Sequence, residues 1–278
     1  MSIRYNCRFL FTSSFMSITF TTCWYQVRSK FDAEVYRQWM AYFLENAHFH
    51  LVIYTNKESF WLVEPFQRDR VKIVLKEWED FKGYTYKDAW IKNHEKNHLL
   101  NENSPWKTDW KLNLLWAEKV HFVKETTTYF ESDWYAWCDI GYFREPLLSP
   151  EQFRSWPNPS KIAQLQTDKI YYGLPGSRET INLFQQIIQH NTQGPYIPLP
   201  PDRVTVAGGF FLVSSKKVDW WTNTFSRKLA HYFEKDLLVK DDQIIIVDCI
   251  LSDPSPFILV EELDETKNRW FVFQAFLN

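Results

Sequence analysis

Trp134-Tyr-Ala-Trp-Cys-Asp139-Ile-Gly141 is the stretch on which the fold turns. Residues 134–138 form an unbroken apolar run, the pattern of a strand covered on both faces rather than one. Asp-x-Gly then ends it with turn-forming residues. In a parallel sheet the carboxyl ends of the strands form the edge where ligands bind, so Asp139 is the first candidate site residue. The same residues also read as an ordinary strand-end turn, and the flanking sequence has to decide between the two.

Upstream, residues 106–125 read as a long helix, apolar on more than one side. Residues 17–24 alternate and are rich in β-branched side chains, residues 49–55 form a second apolar run, and residues 71–75 a third. Between the first two, Ser29 or Asp32 is positioned to cap a helix reaching Asn46. This βαβ rhythm predicts an α/β fold with a mostly parallel central sheet flanked by helices. Residues 77–105 read as an irregular helical insertion in which Trp78 and Trp90 stand among charges and amides. Downstream the pattern gives a surface loop over 146–159, a short strand over 169–173 and a helix over 179–190. A Pro-rich loop follows over 194–201, then a strand over 204–214 containing Gly208-Gly209. Helices over 216–235 and 241–251 and a closing strand over 270–276 complete it. With no internal repeat, low-complexity tract or linker, residues 1–278 are expected to form a single domain.

Composition narrows the classes. The 278 residues carry a net charge of −2, with basic residues scattered along the chain. That excludes the concentrated positive field of a nucleic-acid binder. Cys7, Cys23, Cys138 and Cys249 lie far apart without a C-x-x-C pair, and three of them sit inside apolar runs. The expectation is free core thiols and a cytoplasmic location. Residues 1–20 make a poor signal peptide, because Thr12, Ser13, Ser14 and Ser17 interrupt the apolar residues. No run has the length of a transmembrane segment. Aromatic residues reach 18% of the chain, including 14 Trp. Most of that bulk is core, and the excess hints at carbohydrate, whose C–H faces stack on indole.

Trp110-Lys-Leu-Asn-Leu-Leu-Trp-Ala-Glu-Lys119, followed by residues 134–145, resembles the HtrL/YibB-type family of glycosyltransferase-like proteins, and more broadly the GT-A fold. Gly208-Gly-Phe-Phe and Lys240-Asp-Asp-Gln243 suit the same pattern. The resemblance implies transfer of a sugar from a nucleotide diphosphate donor, a UDP-sugar above all, to a glycan hydroxyl acceptor. It divides the chain into a nucleotide-binding half over 17–145 and an acceptor-side half over 146–278. Asp139 matches the metal-binding aspartate of an Asp-x-Asp pattern and would hold Mn²⁺ or Mg²⁺ against the diphosphate. Gly141 replaces the second aspartate and leaves that coordination thin. Thr21, Thr22, Tyr25, Tyr54 and Asn56 fall at strand ends where such folds bind the donor. Lys111 and Lys119 are placed to reach Asp139 or the diphosphate, or else to form a solvated helix face. Gly208, Gly209, Trp78 and Trp90 would meet the acceptor. Asp241 and Asp242 are the candidate catalytic carboxylates, and equally an acidic helix N-terminus.

Two other readings compete. A non-catalytic carbohydrate-binding protein on the same scaffold would use the aromatic residues without turnover. His94-Glu95-Lys-Asn-His98 satisfies H-E-x-x-H, the zinc-hydrolase pattern. Its polar surroundings and the lack of a nearby third ligand favour a chance match.

Overall fold

The computed structural model describes residues 16–101, 107–190 and 201–278. The expectations for residues 1–15 and for the Pro-rich stretch 194–200 lie outside these. Seven strands form one sheet: β1 (Ile18–Trp24), β2 (His50–Thr55), β3 (Val71–Leu75), β4 (Trp134–Cys138), β5 (Ile170–Gly173), β6 (Ala207–Ser214) and β7 (Phe257–Val260). Their spatial order is β3-β2-β1-β4-β6-β5-β7. β6 runs antiparallel to both neighbours, and every other pairing is parallel. This is the mostly parallel, helix-flanked α/β sheet that the sequence predicts.

The central strands are largely apolar because each face has its own core, and the period of two sorts side chains between them. Phe20, Leu51, Ile53, Trp134, Ala136, Phe210 and Leu212 enter one cluster. Cys23, Val52, Tyr54, Tyr135, Trp137, Phe211 and Val213 enter the other. Helix α1 (Ala33–Asn46) closes the first face with Met40, Phe43 and Leu44. The insertion carries α2 (Lys87–Lys96), and α3 (Trp110–Thr126) lies across β1 and β4 on the second face. Asp109 caps α3, its carboxylate accepting from Lys111 N at 2.9 Å, so the helix begins four residues later than the apolar pattern suggests. Beyond it come α4 (Arg178–His190), α5 (Val218–Glu234), α6 (Asp242–Ser252) and α7 (Val272–Phe276).

Two segments depart from the sequence reading. Residues 146–159 are anchored rather than a plain surface loop: a capped turn at Pro150–Phe153 inserts Phe153, and Trp156 follows it into the core. The closing strand is not at 270–276, which forms a 3₁₀ turn and α7. Asn268 Oδ1 accepts from Trp270 N at 3.1 Å to start that turn, and buried Gln274 donates to Glu145 O at 3.1 Å. The last strand is instead β7, four residues between Pro256 and Glu261, too short to show a period. Among the described residues no helix is long and apolar enough to cross a membrane. Cys23, Cys138 and Cys249 are free and buried.

Candidate functional site

At the carboxyl edge of β1 and β4 the sheet meets the amino end of the reversed β6, so two kinds of strand end converge there. Asp139 leaves β4 with its N–H bonded to Gly209 O at 2.8 Å. Trp137, two residues earlier on the same side of the strand, donates Nε1–H to Asp139 Oδ1 at 2.6 Å. From α3, Lys119 reaches the same point. Its ammonium lies 2.9 Å from Gly208 O and 3.1 Å from both Asp139 Oδ1 and Asp242 Oδ2. Asp242 opens α6, while its neighbour Asp241 caps that helix by accepting from Ile244 N at 3.3 Å.

These charges differ sharply in exposure. The Asp139 side chain is 38% exposed, whereas those of Lys119 and Asp242 are 6% and 4% exposed. Burial alone would depress the lysine pKa, but the carboxylates of Asp139 and Asp242 outweigh it and hold the pKa above the ordinary value. Burial pushes the Asp242 carboxyl up to about 7, against the pull of Lys119. Asp242 Oδ2 is buried, with the Lys119 ammonium 3.1 Å away.

Both glycines of β6 pack against these carboxylates. A Cβ on Gly208 would stand 2.9 Å from both Asp242 oxygens, and one on Gly209 would stand 3.3 Å from Asp139 Oδ2. Asp242 is enclosed and cannot yield, while Asp139 is open and can. Gly208→Ala is therefore expected to cost about 1–3 kcal/mol of stability by overpacking, and Gly209→Ala distinctly less. Urea unfolding of the two variants checks the order, and the reverse order would contradict this packing.

The backbone leading into Asp241 is held by three asparagines. Val239 O accepts from Asn93 Nδ2 and Asn113 Nδ2, both at 2.8 Å, and from Asn97 Nδ2 at 3.3 Å. Val239 N donates back to Asn93 Oδ1 at 2.9 Å, and Lys240 O accepts from Asn97 at 2.9 Å. Asn97 lies inside the H-E-x-x-H stretch and Asn93 immediately before it, and both are buried. α2 ends at Lys96 and a separate turn starts at His98, so His94 and His98 do not sit one turn apart on one helix. Glu95 and His98 face solvent.

The cleft has two adjoining chambers. One, of about 330 Å³, is lined by Lys30, Trp116, Lys119, Asp139, Tyr142, Arg144, Gly208, Gly209, Asp241, Asp242, Gln243 and Phe271 among others. The second, about 120 Å³, runs beside the end of β1 past Tyr25, Tyr36, Leu115 and Gly141. Of the residues singled out in the sequence, Lys119, Asp139, Gly141, Gly208, Gly209, Asp241, Asp242 and Tyr25 are brought together here. The others stand elsewhere. Thr21 donates to Thr126 Oγ1 at 2.9 Å beneath α3, and Thr22 is buried. The Tyr54 ring is buried and stacks on Phe122, while Asn56 Oδ1 accepts from Ser59 N. Lys111 lies over the Trp78 ring. Trp78 packs on Tyr25 and Phe81, and Trp90 donates to Gly83 O at 3.1 Å. Both indoles are buried and offer no face to a sugar, which corrects their reading as acceptor contacts. Arg144, Trp116, Tyr36 and Trp39 were not anticipated. Two had a signal: Trp116 shares a helix face with Lys119 at i, i+3, and Arg144 follows Gly141 by three residues.

The donor set does not fit a divalent ion. A fixed ammonium stands between the two carboxylates, and Asp241 is engaged as a helix cap. No group of three or more His, Cys, Asp or Glu among the described residues is arranged to hold a metal. Nor does Gly141 leave room over the backbone, because the Trp39 ring fills it, 2.8 Å from where a Cβ would be.

No family model matches the chain, and no curated protein matches it. Among solved structures it is similar to mouse xyloside xylosyltransferase 1 in its apo form, at 12% identity over 94% of each chain, with a TM-score of 0.46. A likeness that loose carries nothing about donor or acceptor. The HtrL/YibB resemblance rests on the motifs quoted above alone.

Proposed function

We propose that this chain is a single-domain glycosyltransferase that moves a sugar from a nucleotide diphosphate donor, a UDP-sugar in the first instance, to a glycan hydroxyl. The observation that carries this reading is the meeting of Asp139, Lys119 and Asp242 at one sheet edge, in a cleft of small-molecule size. The β1-side chamber, with Tyr25 and Tyr36, takes the nucleoside end. The chamber beside β6 takes the sugar and the acceptor. Asp242 accepts the proton of the acceptor hydroxyl as the new bond to the anomeric carbon forms. The bond from that carbon to the diphosphate breaks, and its electron pair leaves with the diphosphate. A buried carboxyl with a pKa near neutrality suits a general base, because enough of it is ionised and it still holds a proton well. Lys119 keeps the Asp242 side chain in place and limits the charge that builds up between the two carboxylates.

The test is release of nucleoside diphosphate from a panel of nucleotide sugars, paired with thermal denaturation in their presence. A ligand bound only by the folded state stabilises it by RT ln(1 + [L]/Kd), about 2.7 kcal/mol at a hundredfold excess over Kd. The expected outcome is one nucleotide class that both raises Tm and is turned over. Stabilisation by glycans with no nucleotide released from any donor would point instead to a carbohydrate-binding module.

A further inference from the structure

We infer that Lys119 stands where a divalent ion would otherwise sit, and that Arg144 supplies the positive charge facing the leaving diphosphate. This rests on the nucleotide-sugar reading above and adds to it how the leaving group is neutralised. Lys119 is built in: its ammonium is 2.9 Å from Gly208 O and 3.1 Å from each carboxylate, and its side chain has almost no exposure through which to swing away. A hard cation wants a shell of oxygen ligands, and here it would meet a fixed like charge instead. The lysine charge is absorbed by Asp139 and Asp242, so the cleft needs a second cation for a diphosphate.

Arg144 has that character. Its guanidinium centre lies 5.5 Å from the Trp39 ring and 4.7 Å from the Phe271 ring, and the side chain borders both chambers. It is exposed and makes no salt bridge among the described residues, and the adjacent Glu145 accepts from Asn268 Nδ2 at 2.8 Å. Flanking rings hold the guanidinium in place while its N–H edge stays available, the arrangement that grips phosphate oxygens in pairs. The Trp39 ring can stand there because residue 141 has no side chain. Asp-x-Gly thereby serves Arg144 through Trp39. As the anomeric carbon–oxygen bond breaks, the electron pair passes to the diphosphate oxygen under Arg144, and the acceptor proton passes to Asp242.

The experiment is calorimetric titration of the full chain with UDP, GDP and uridine, in buffer stripped with EDTA and again with Mn²⁺. One diphosphate is expected to bind in EDTA with an affinity within about threefold of that in Mn²⁺. Arg144→Ala, an exposed position where folding is not at stake, is expected to weaken that diphosphate by about 10- to 100-fold, the range for a charged hydrogen bond. Uridine binding should be unchanged, and Arg144→Lys should fall between. Wild-type protein mixed with Mn²⁺ should leave the free-ion paramagnetic resonance spectrum intact. Diphosphate binding seen only with Mn²⁺ would overturn the inference and leave the nucleotide site standing. Unaltered diphosphate affinity in Arg144→Ala would remove Arg144 from the role. Binding of neither diphosphate under either condition would overturn both readings.

Discussion

In Asp242→Asn, kcat is expected to fall by ~10²–10⁴-fold while nucleotide binding survives, the range for losing a general base. Asn fills the same space and keeps an oxygen toward Lys119, so the packing against Gly208 is preserved and the proton acceptor is not. The pH profile separates this from a merely structural effect. With its pKa raised to about 7 by burial, Asp242 is protonated below neutrality, and under the proposed role it serves as base only above it. Wild-type kcat/KM should therefore rise with pH through about 7, and that limb should vanish in the residual activity of the variant. A variant that turns over normally, or one that keeps the limb, would reduce Asp242 to the acidic first turn of α6. A product that retains the donor's anomeric configuration would also end its role as base.

Lys119→Met should be the most destabilising change at this site. Removing one member of a buried ion pair leaves the other uncompensated, typically about 3–5 kcal/mol. The sign of its pH dependence follows from which group is stranded. Lys119 pulls the Asp242 pKa down, so without it the folded carboxyl keeps its proton to still higher pH than about 7. Between the unfolded pKa and that raised value the folded chain holds a proton that the unfolded chain has released. Stability therefore falls as pH rises. The deficit relative to wild type should be smaller near pH 5.5, where Asp242 is neutral in both proteins and only the more exposed Asp139 loses its partner, and larger near pH 8.5. Urea midpoints at the two values measure it. Adding Asp242→Asn to Lys119→Met should recover much of the loss at pH 8.5. An equal deficit at both pH values would mean that the pair is not coupled as the geometry indicates.

The parts of the molecule legible in the sequence are those where period and burial coincide. Residues 134–138 and 51–54 are apolar at every position because both sheet faces are covered, and their strands lie where the runs are. Asp139 was visible because Asp-x-Gly interrupts such a run, and Asp241 because acids before an apolar run mark a helix start. β7 was not, since four residues carry no period, and its neighbour at 270–276 imitates a strand by being aromatic. Asn93 and Asn97 sit among the polar residues around the two histidines, where nothing in the local sequence marks them as core. Their burial depends on a carbonyl about 140 residues away that no local pattern reveals. Trp90 misled in the opposite direction, because an indole in a polar stretch looks available until the packed ring is seen. Arg144 was overlooked for a related reason: its setting depends on Trp39 and Phe271, which come from opposite ends of the chain.

The asparagine clamp ties the region around α2 to the start of α6, and so to the position of Asp242, from a distance. Val239 and Lys240 behave as though they belonged to a sheet, with their carbonyls and one amide fully occupied, yet the partners are side chains from two other segments. Such a segment has no ladder to slide along, so its register is fixed by three amides. The start of α6 is consequently not a portable unit. Grafted into another scaffold it would bring Asp242 but not the geometry that aims it, and trimming the polar stretch between β3 and α3 would loosen a carboxylate that lies far from the cut in sequence.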